Sequence, residues 1–435
     1  SLKELSPVED TSSISLIVEA APEASMEETV GGFVDAVDVM LSEPTATYIW
    51  QSINPGFGYG GQEFVSPDDR DVTTHELLPA MSERLKGVPT VTAFPSAQPS
   101  LPTAGQYDLE VVVTSSDSLD NMHRIANTMA GRAMTSGLFY FFESGLKMDL
   151  LAVEYQLDKN RMADLGMTLG DLTSQMDLFV SEGYVTRYDE RGRAYRVIPQ
   201  LQQTFKFSPE ALLDTPVTLP SGDQVPFGTF AVLQRNTEPR ALTRFQQKSS
   251  FKLFGGVIPG YTKEQALSYV EELADELLPP GYVLDYTGES REIRREGNTM
   301  VNVLGLSLIM VFLVLALQFD SFRDPLIILL GSAPLALFAA MVITFTGFTT
   351  INIYSQVGLI TLVGLISKNA ILIVEFANQA QAQGMSKLEA IKAGSIYRLR
   401  PVLMTTGATV FGHFPLVLVE GAGAEARNSI GFILV

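Results

Sequence analysis

VGLISKNAILIVEF, residues 363–376, sets a lysine beside an asparagine inside a run that otherwise has the composition of a bilayer interior. An ammonium at the centre of a membrane helix costs about 2.5 to 3.5 kcal/mol on insertion scales, so it pairs with a buried carboxylate or lines a polar path. The nearest acid along the segment, Glu375, stands seven residues on. That is about 10 Å along a helix and on roughly the same face, a long reach for a snorkelling stem. In the next apolar segment, RLRPVLMTT (398–406), Thr405 follows Arg400 by five residues. It therefore lies about 7 to 8 Å into the bilayer, near the level of Lys368. Threonine in a membrane helix often bonds only its own backbone. With Lys368 and Asn369 opposite, a polar patch inside a helical bundle is the expected arrangement.

Four segments reach the roughly 20 apolar residues that a helix needs to cross hydrocarbon. They are 300–318, 325–345, 353–374 and 401–419, and a fifth begins near Asn428. Positive residues near membrane ends collect on the cytoplasmic side. The connection 377–400 holds Lys387, Lys392, Arg398 and Arg400 against Glu389 alone, whereas 346–352 has no charge and 420–427 has Glu420 and Glu425 against Arg427. Segment 377–400 is therefore read as cytoplasmic, with GMSKLEAIKAGSIYRLR as an amphipathic helix at the interface. Alternation then puts residues 1–298 on the outer side.

Before residue 299 the composition is that of a water-soluble protein, and 435 residues predict two to four domains. Only 7 Lys plus Arg and 6 Asp plus Glu follow residue 299, which leaves the soluble part near −20. So acidic a surface repels phosphate backbones, which argues against nucleic acid as a partner and suits neutral or cationic ligands. The absence of cysteine excludes disulfides, thiolate metal sites and cysteine nucleophiles. His75, His123 and His413 are too widely spaced to start a metal site or a Ser-His-Asp triad, and His413 reads as a packed side chain. No paired carboxylates with usable spacing are present, so an enzyme is not expected. The chain opens with SLKELSPVED, without an initiator Met or an apolar signal core, and closes with NSIGFILV as an apolar run begins; both ends read as cut.

The soluble part alternates strand and helix signals. SISLIVEA (13–20) has strand alternation, SMEETVGGFVDAVDVMLSE (25–43) opens with a capping box from Ser25 to Glu28, and TATYIWQSI (45–53) is again strand-like. The order recurs in YDLEVVVTS (107–115), SLDNMHRIANTMAGRAM (118–134) and GLFYFFES (137–144), followed by the strand MDLLAVEYQLD (148–158). It returns in FKLFGGVI (251–258), KEQALSYVEELADELL (263–278) and YVLDYTG (282–288). Small α+β sandwiches of split βαβ type are predicted. The stretch 163–248, with a hairpin-like YVTRYDERGRAYRVI (184–198), reads as an insertion, and PSAQPSLPTAGQ (95–106) as a linker. NPGFGYGGQEF (54–64) formally contains GxGxxG in Gly56, Gly58 and Gly61. The glycines run into QEFVS (62–66), an extended rather than a helical pattern, which is wrong for a dinucleotide site. The segment reads instead as a glycine hinge loop presenting Phe57 and Tyr59.

GLISKNAILIVEFAN (364–378), the preceding QVGLITLVG and the following RLRPVLMTT, on this topology, resemble the C-terminal half of a resistance-nodulation-division (RND) efflux permease of the hydrophobe/amphiphile, multidrug type. The similarity spans the whole chain. It implies α+β periplasmic porter subdomains, ferredoxin-like split βαβ sandwiches, with an inserted docking subdomain and an α-helical transmembrane bundle. The implied bounds are 1–105 for the first porter subdomain, 106–162 and 249–298 for the second, 163–248 for docking, and 299–435 for four complete membrane helices and a truncated fifth. The implied activity is proton-driven export of hydrophobic and amphiphilic compounds, with the proton as coupling ion and no cofactor or metal. The implied setting is a homotrimer in the bacterial inner membrane, with residues 1–298 in the periplasm, working with a periplasmic adaptor and an outer-membrane channel.

Carried over by motif, Lys368 and Asn369, with Thr405 and Arg398 on the adjoining helix, look like the family's proton relay. Two aspartates on a helix of the N-terminal half complete that relay, and neither exists in this chain. In the family's account the lysine leaves them when they are protonated, so a small proton event switches packing. Gly56, Gly58, Gly60 and Gly61 resemble the switch loop of the drug pocket, which makes Phe57 and Tyr59 contacts for apolar substrates, with Phe64 in the pocket-side strand. Tyr107 and Leu109 correspond to positions near the entrance cleft. A rival reading is a membrane-tethered periplasmic binding or signalling domain whose helices are only an anchor. It predicts spans without an aligned lysine and threonine.

Overall fold

A computed structural model describes residues 4–99, 105–180, 183–200, 208–296 and 299–435. The middle of the expected linker, 100–104, lies outside the described residues. Two compact units are present, Ser1–Lys147 with Ala241–Val435, and Met148–Arg240.

The larger unit begins with strands Ser13–Ala20, Ala46–Asn54, Phe57–Phe64 and Val91–Ala97, joined by helices Met26–Leu41 and Thr74–Leu85. All neighbouring strands are antiparallel, and the spatial order is 46–54, 57–64, 13–20, 91–97. Alternation in SISLIVEA buries Ile14, Leu16 and Val18 against Phe33, Ala36, Met40, Leu78 and Met81. The capping box forms as read: Glu28 N–H donates to Ser25 Oγ (3.2 Å) and Ser25 N–H to Glu28 Oε2 (2.9 Å), satisfying amides the first turn leaves open.

The expected hinge loop is not a loop. Pro55 and Gly56 make a tight turn, and Gly56 has φ 78°, as the third residue of a type II turn requires. Phe57–Phe64 is then a strand inside the sheet. A Cβ on Gly58 would meet the Phe33 ring at 2.1 Å, on Gly60 the Trp50 carbonyl oxygen at 2.3 Å, and on Gly61 the Trp50 indole nitrogen at 2.8 Å. Three of the four glycines therefore serve close approach, and only Gly56 serves a turn.

Leu109–Ser115, Phe139–Ser144, Lys248–Val257 and Val283–Tyr286, with helices Leu119–Met134 and Lys263–Leu277, repeat this topology. The spatial order is 139–144, 248–257, 109–115, 283–286, which matches the order of the first sheet, and a two-residue strand, Arg244–Phe245, adds a fifth member beside 248–249. Here the chain leaves after the second strand and returns at the third.

The smaller unit lies between those two strands in the chain. Leu150–Leu157 pairs antiparallel with Ala231–Glu238 along its full length, and Asp149 accepts two bonds from Arg240 (2.7 and 2.6 Å). The strand 148–158, assigned by sequence to the second porter subdomain, thus belongs to the insertion, because its ladder partner does. The unit runs 148–240 where 163–248 was expected. Met162, Leu172, Val217, Phe227 and Phe230 form its core, and the hairpin Thr186–Glu190 and Arg193–Val197 projects with Tyr188 stacked on Tyr195 (5.6 Å).

Helices Thr299–Phe319, Arg323–Phe345, Ile353–Ala382, Lys387–Val417 and Ala424–Leu434 complete the chain. Among the described residues the first three are long and apolar enough to cross a membrane. The separate interface helix expected over 377–400 is absent as such: its start prolongs the third helix to Ala382, and its remainder opens the 31-residue fourth helix, which continues through Pro401. Membrane helices tolerate such prolines when neighbouring groups satisfy the freed carbonyl.

Candidate functional site

A helix turns about 100° per residue. That rotation divides Lys368 and Asn369 between two neighbours. Lys368 opens onto a cleft of about 420 Å³ toward helix Thr299–Phe319, walled by Met310, Val314, Leu315, Ile371 and the polar Gln318. Asn369 points to the fourth helix, where its amide donates to Thr406 Oγ1 at 3.1 Å. Thr405, expected opposite Lys368, donates instead to the Val402 carbonyl of its own helix (3.0 Å). Helical rise by itself says nothing of which neighbour a side chain faces. Arg398 lies with its guanidinium 5.4 Å above the Phe376 ring, and its Nε is buried without a hydrogen-bond partner. Among the described residues Lys368 forms no ion pair, and Glu375 accepts from Gln379 at 3.4 Å.

In the first sheet, Phe57 and Tyr59 are 41% and 46% exposed, on the side away from the helices. Trp50 meets Tyr59 edge-on at 6.2 Å, and Tyr48 shares their strand face, so the open side of this hairpin is aromatic. Tyr48 and Trp50 were not singled out, although their i, i+2 spacing in TATYIWQSI placed them on one face. Phe64 differs: it is buried in the core beside the Arg70 guanidinium.

Tyr107 and Leu109 are buried too. Leu109 belongs to the second core, and Tyr107 stacks on Phe254 at 4.5 Å, with Phe141 at 5.6 Å. Phe94 of the first sheet touches Phe141 (5.3 Å) and Phe254 (5.9 Å), so these rings form a seam between the sheets. Lys147–Glu19 and Lys252–Glu110, both 2.7 Å, flank it, and Tyr140 donates to the Pro95 carbonyl (3.1 Å). Burial pushes the Tyr107 phenol well above its usual value, so it stays protonated. Tyr107 and Leu109, which the resemblance sets near an entrance cleft, are thus packed into this seam and the adjoining core.

Beside the seam, Lys263 Nζ lies 2.6 Å from Glu289 and 3.2 Å from Asp108. Burial opposes its charge, but the two carboxylates outweigh that and hold the ammonium above its ordinary value. Burial pulls His75 below its usual value, against Asp108 and with help from Lys263. A cavity of about 20 Å³, room for one water, is lined by His75, Tyr107, Asp108, Lys263 and Glu289. Glu289 Oε1 is buried there without a partner. Nothing in the local sequence signals this cluster, since its members come from four separate elements.

Two sheets of one topology, an insertion in the second, and apolar spans carrying a lysine define an integral membrane protein with a large soluble part. Residues 3–435 match the AcrB/AcrD/AcrF family, and the chain belongs to that family. It is similar to an uncharacterized transporter of Haemophilus influenzae, 35% identical over 82% of this chain and 36% of that protein. It is also similar to the toluene efflux pump membrane transporter TtgB of Pseudomonas putida (35% identical, 64% of the chain and 26% of the relative). A third relative is the multidrug export protein AcrF of Escherichia coli (31% identical, 76% and 32%). The chain spans about a third or less of the length of these relatives.

Proposed function

We propose that this chain is the C-terminal half of a proton-driven RND permease that exports hydrophobic and amphiphilic compounds across the bacterial inner membrane. One observation carries the reading: Lys368 opens onto an apolar intramembrane cleft with no counter-charge among the described residues. A cation so placed is costly until an acid reaches it, and protonating that acid removes the attraction. The acids are the aspartates of the N-terminal half, entering from the cleft side. The names of AcrF and TtgB, multidrug export and toluene efflux, support the activity and the apolar substrate class.

In this scheme Lys368 is the switched charge. The Asn369–Thr406 bond fixes the rotation of its helix, and Arg398 and Thr405 line the adjoining helix for the same relay. Phe57, Tyr59 and Trp50 offer broad apolar contact that demands little direction. The seam at Tyr107 is the entrance in its closed state. The unit 148–240 docks toward the outer-membrane channel, and the working assembly is a homotrimer with a periplasmic adaptor and that channel. The decisive experiment is Lys368→Met in the complete permease. Ethidium export is expected to fall at least a hundredfold while expression and trimerisation persist; retained export overturns the relay.

A further inference from the structure

We propose that residues 4–10 are a clasp that carries movement of the Lys368 helix into the first sheet, with Thr350 and Ile353 as its positioning residues. The inference rests on the export reading. Helix Ile353–Ala382 starts at Asn352, which is fully buried and accepts from the Tyr354 and Ser355 amides at 2.9 Å each. Asn352 Nδ2 also donates to Thr350 Oγ1 (2.9 Å) and to Ser429 Oγ of the last helix (3.1 Å). The start of the helix is therefore rigidly built.

That rigid start grips the soluble part. Glu4 N–H donates to the Ile351 carbonyl and Ile353 N–H to the Leu5 carbonyl, each at 3.1 Å, and the Thr350 hydroxyl donates to the Glu4 carboxylate. The Ile353 amide, in the first turn, has no acceptor within its own helix, and Leu5 supplies one. Further along, Leu5 is buried in the second sheet's core beside Ile293. Glu9 accepts from the Ala426 amide (3.3 Å). Asp10 binds Arg70, the Thr74 amide (3.2 Å), the Thr74 hydroxyl (3.0 Å) and the Ser12 amide (2.9 Å). Strand Ser13–Ala20 begins immediately afterwards, bonded on one side to Phe57–Phe64 and on the other to Val91–Ala97.

The segment is thus anchored at residues 4, 5, 9 and 10, with no slack between the membrane helix and an interior strand. Lys368 lies fifteen residues into the helix, about 22 Å down its axis. A tilt or shift there is delivered to Ile351–Ile353, then to the strap, then to the strand beside the aromatic hairpin. Both positions are particular: the Thr350 side chain bonds to Glu4, and Ile353 is the first helical position, whose amide bonds to Leu5.

The test removes the clasp without removing the helix. Ile353→Pro deletes the amide at the first helical position, where proline is favoured, and Asn352 already has the extended backbone a following proline demands (φ −131°, ψ 176°). Combined with Thr350→Val, it is made in the complete permease and assayed in vesicles under a pH gradient. Ethidium export is expected to fall at least tenfold, while ethidium binding in detergent and the melting temperature stay near wild type. Glu4→Gln keeps an acceptor for Thr350 and is expected to export normally. An independent variant inserting Gly-Gly after Thr11 adds slack while the bonds of Glu4, Leu5 and Glu9, and those of Asp10 to Arg70 and Thr74, are left in place, and it is expected to export at least tenfold more slowly. Wild-type export from the double variant or from the insertion overturns the clasp, as does a loss in Glu4→Gln equal to theirs. Absence of ethidium export from the wild-type permease, in contrast, overturns the export reading itself and the clasp with it.

Discussion

Lys263 lies at the junction of the two sheets and Lys368 stands on the cleft face of an apolar span, and among the described residues only the first finds counter-charges. Lys263 is held by Glu289 and Asp108 within 3.2 Å, whereas Lys368 has an apolar cleft and no ion pair among the described residues. The charge of Lys263 is answered by carboxylates of the same chain, so it is part of the structure. In the apolar span Lys368 has no counter-charge among the described residues, and on the proposed reading the acid that answers it is one that a proton can switch.

That contrast is broken or sharpened by substitution. The largest expected effect is on Lys263→Met, which leaves two buried carboxylates facing one another and costs about 3 to 5 kcal/mol of stability, read by denaturant unfolding in detergent. Lys368→Met in the same assay should be neutral or slightly stabilising while export is lost; the reverse pattern would dissolve the comparison. Next is Asp10→Asn, which removes the acid from Arg70, whose side chain is 1% exposed, at about 2 kcal/mol near neutral pH. Burial resists ionisation of Asp10, but Arg70 and the Ser12 and Thr74 donors prevail and hold its carboxyl below the usual range. A depressed acid contributes stability that is complete above the unfolded value, about 3.9, and is lost as pH falls through the folded one. The wild-type advantage should therefore shrink below about pH 4.

Gly58→Ala places a methyl 2.1 Å from the Phe33 ring and should cost about 1 to 2 kcal/mol, whereas Gly31→Ala, with nothing within 4 Å, should stabilise the same unit by a few tenths. Equal melting temperatures for the pair would return the glycine-rich segment to its reading as a free hinge. The smallest effect is expected at His75. Its depressed value means that folding excludes a proton, so stability present above about pH 6.5 falls as the pH drops toward the folded value. His75→Gln should flatten that slope by about 1 kcal/mol or less between pH 6.5 and 5, measured by thermal melts across the range.

Sequence by itself determined whatever is periodic or capped. Alternation in SISLIVEA, the Ser25–Glu28 box, the recurring strand-helix-strand units, the apolar spans and the lysine motif all state locally which face is apolar and where an element starts. The tertiary structure decided which partner each face meets. Leu150–Leu157 looks like any half-exposed strand until Ala231–Glu238 claims it for the insertion. Gly58, Gly60 and Gly61 resemble a flexible loop until Phe33 and Trp50 fill the space beside them. Thr405 and Thr406 have the same chemistry at nearly the same depth, and only the rotation of two packed helices gives Thr406 to Asn369. Periodicity is a property of neighbours in the chain, while azimuth, ladder partner and counter-charge are set between segments far apart in it.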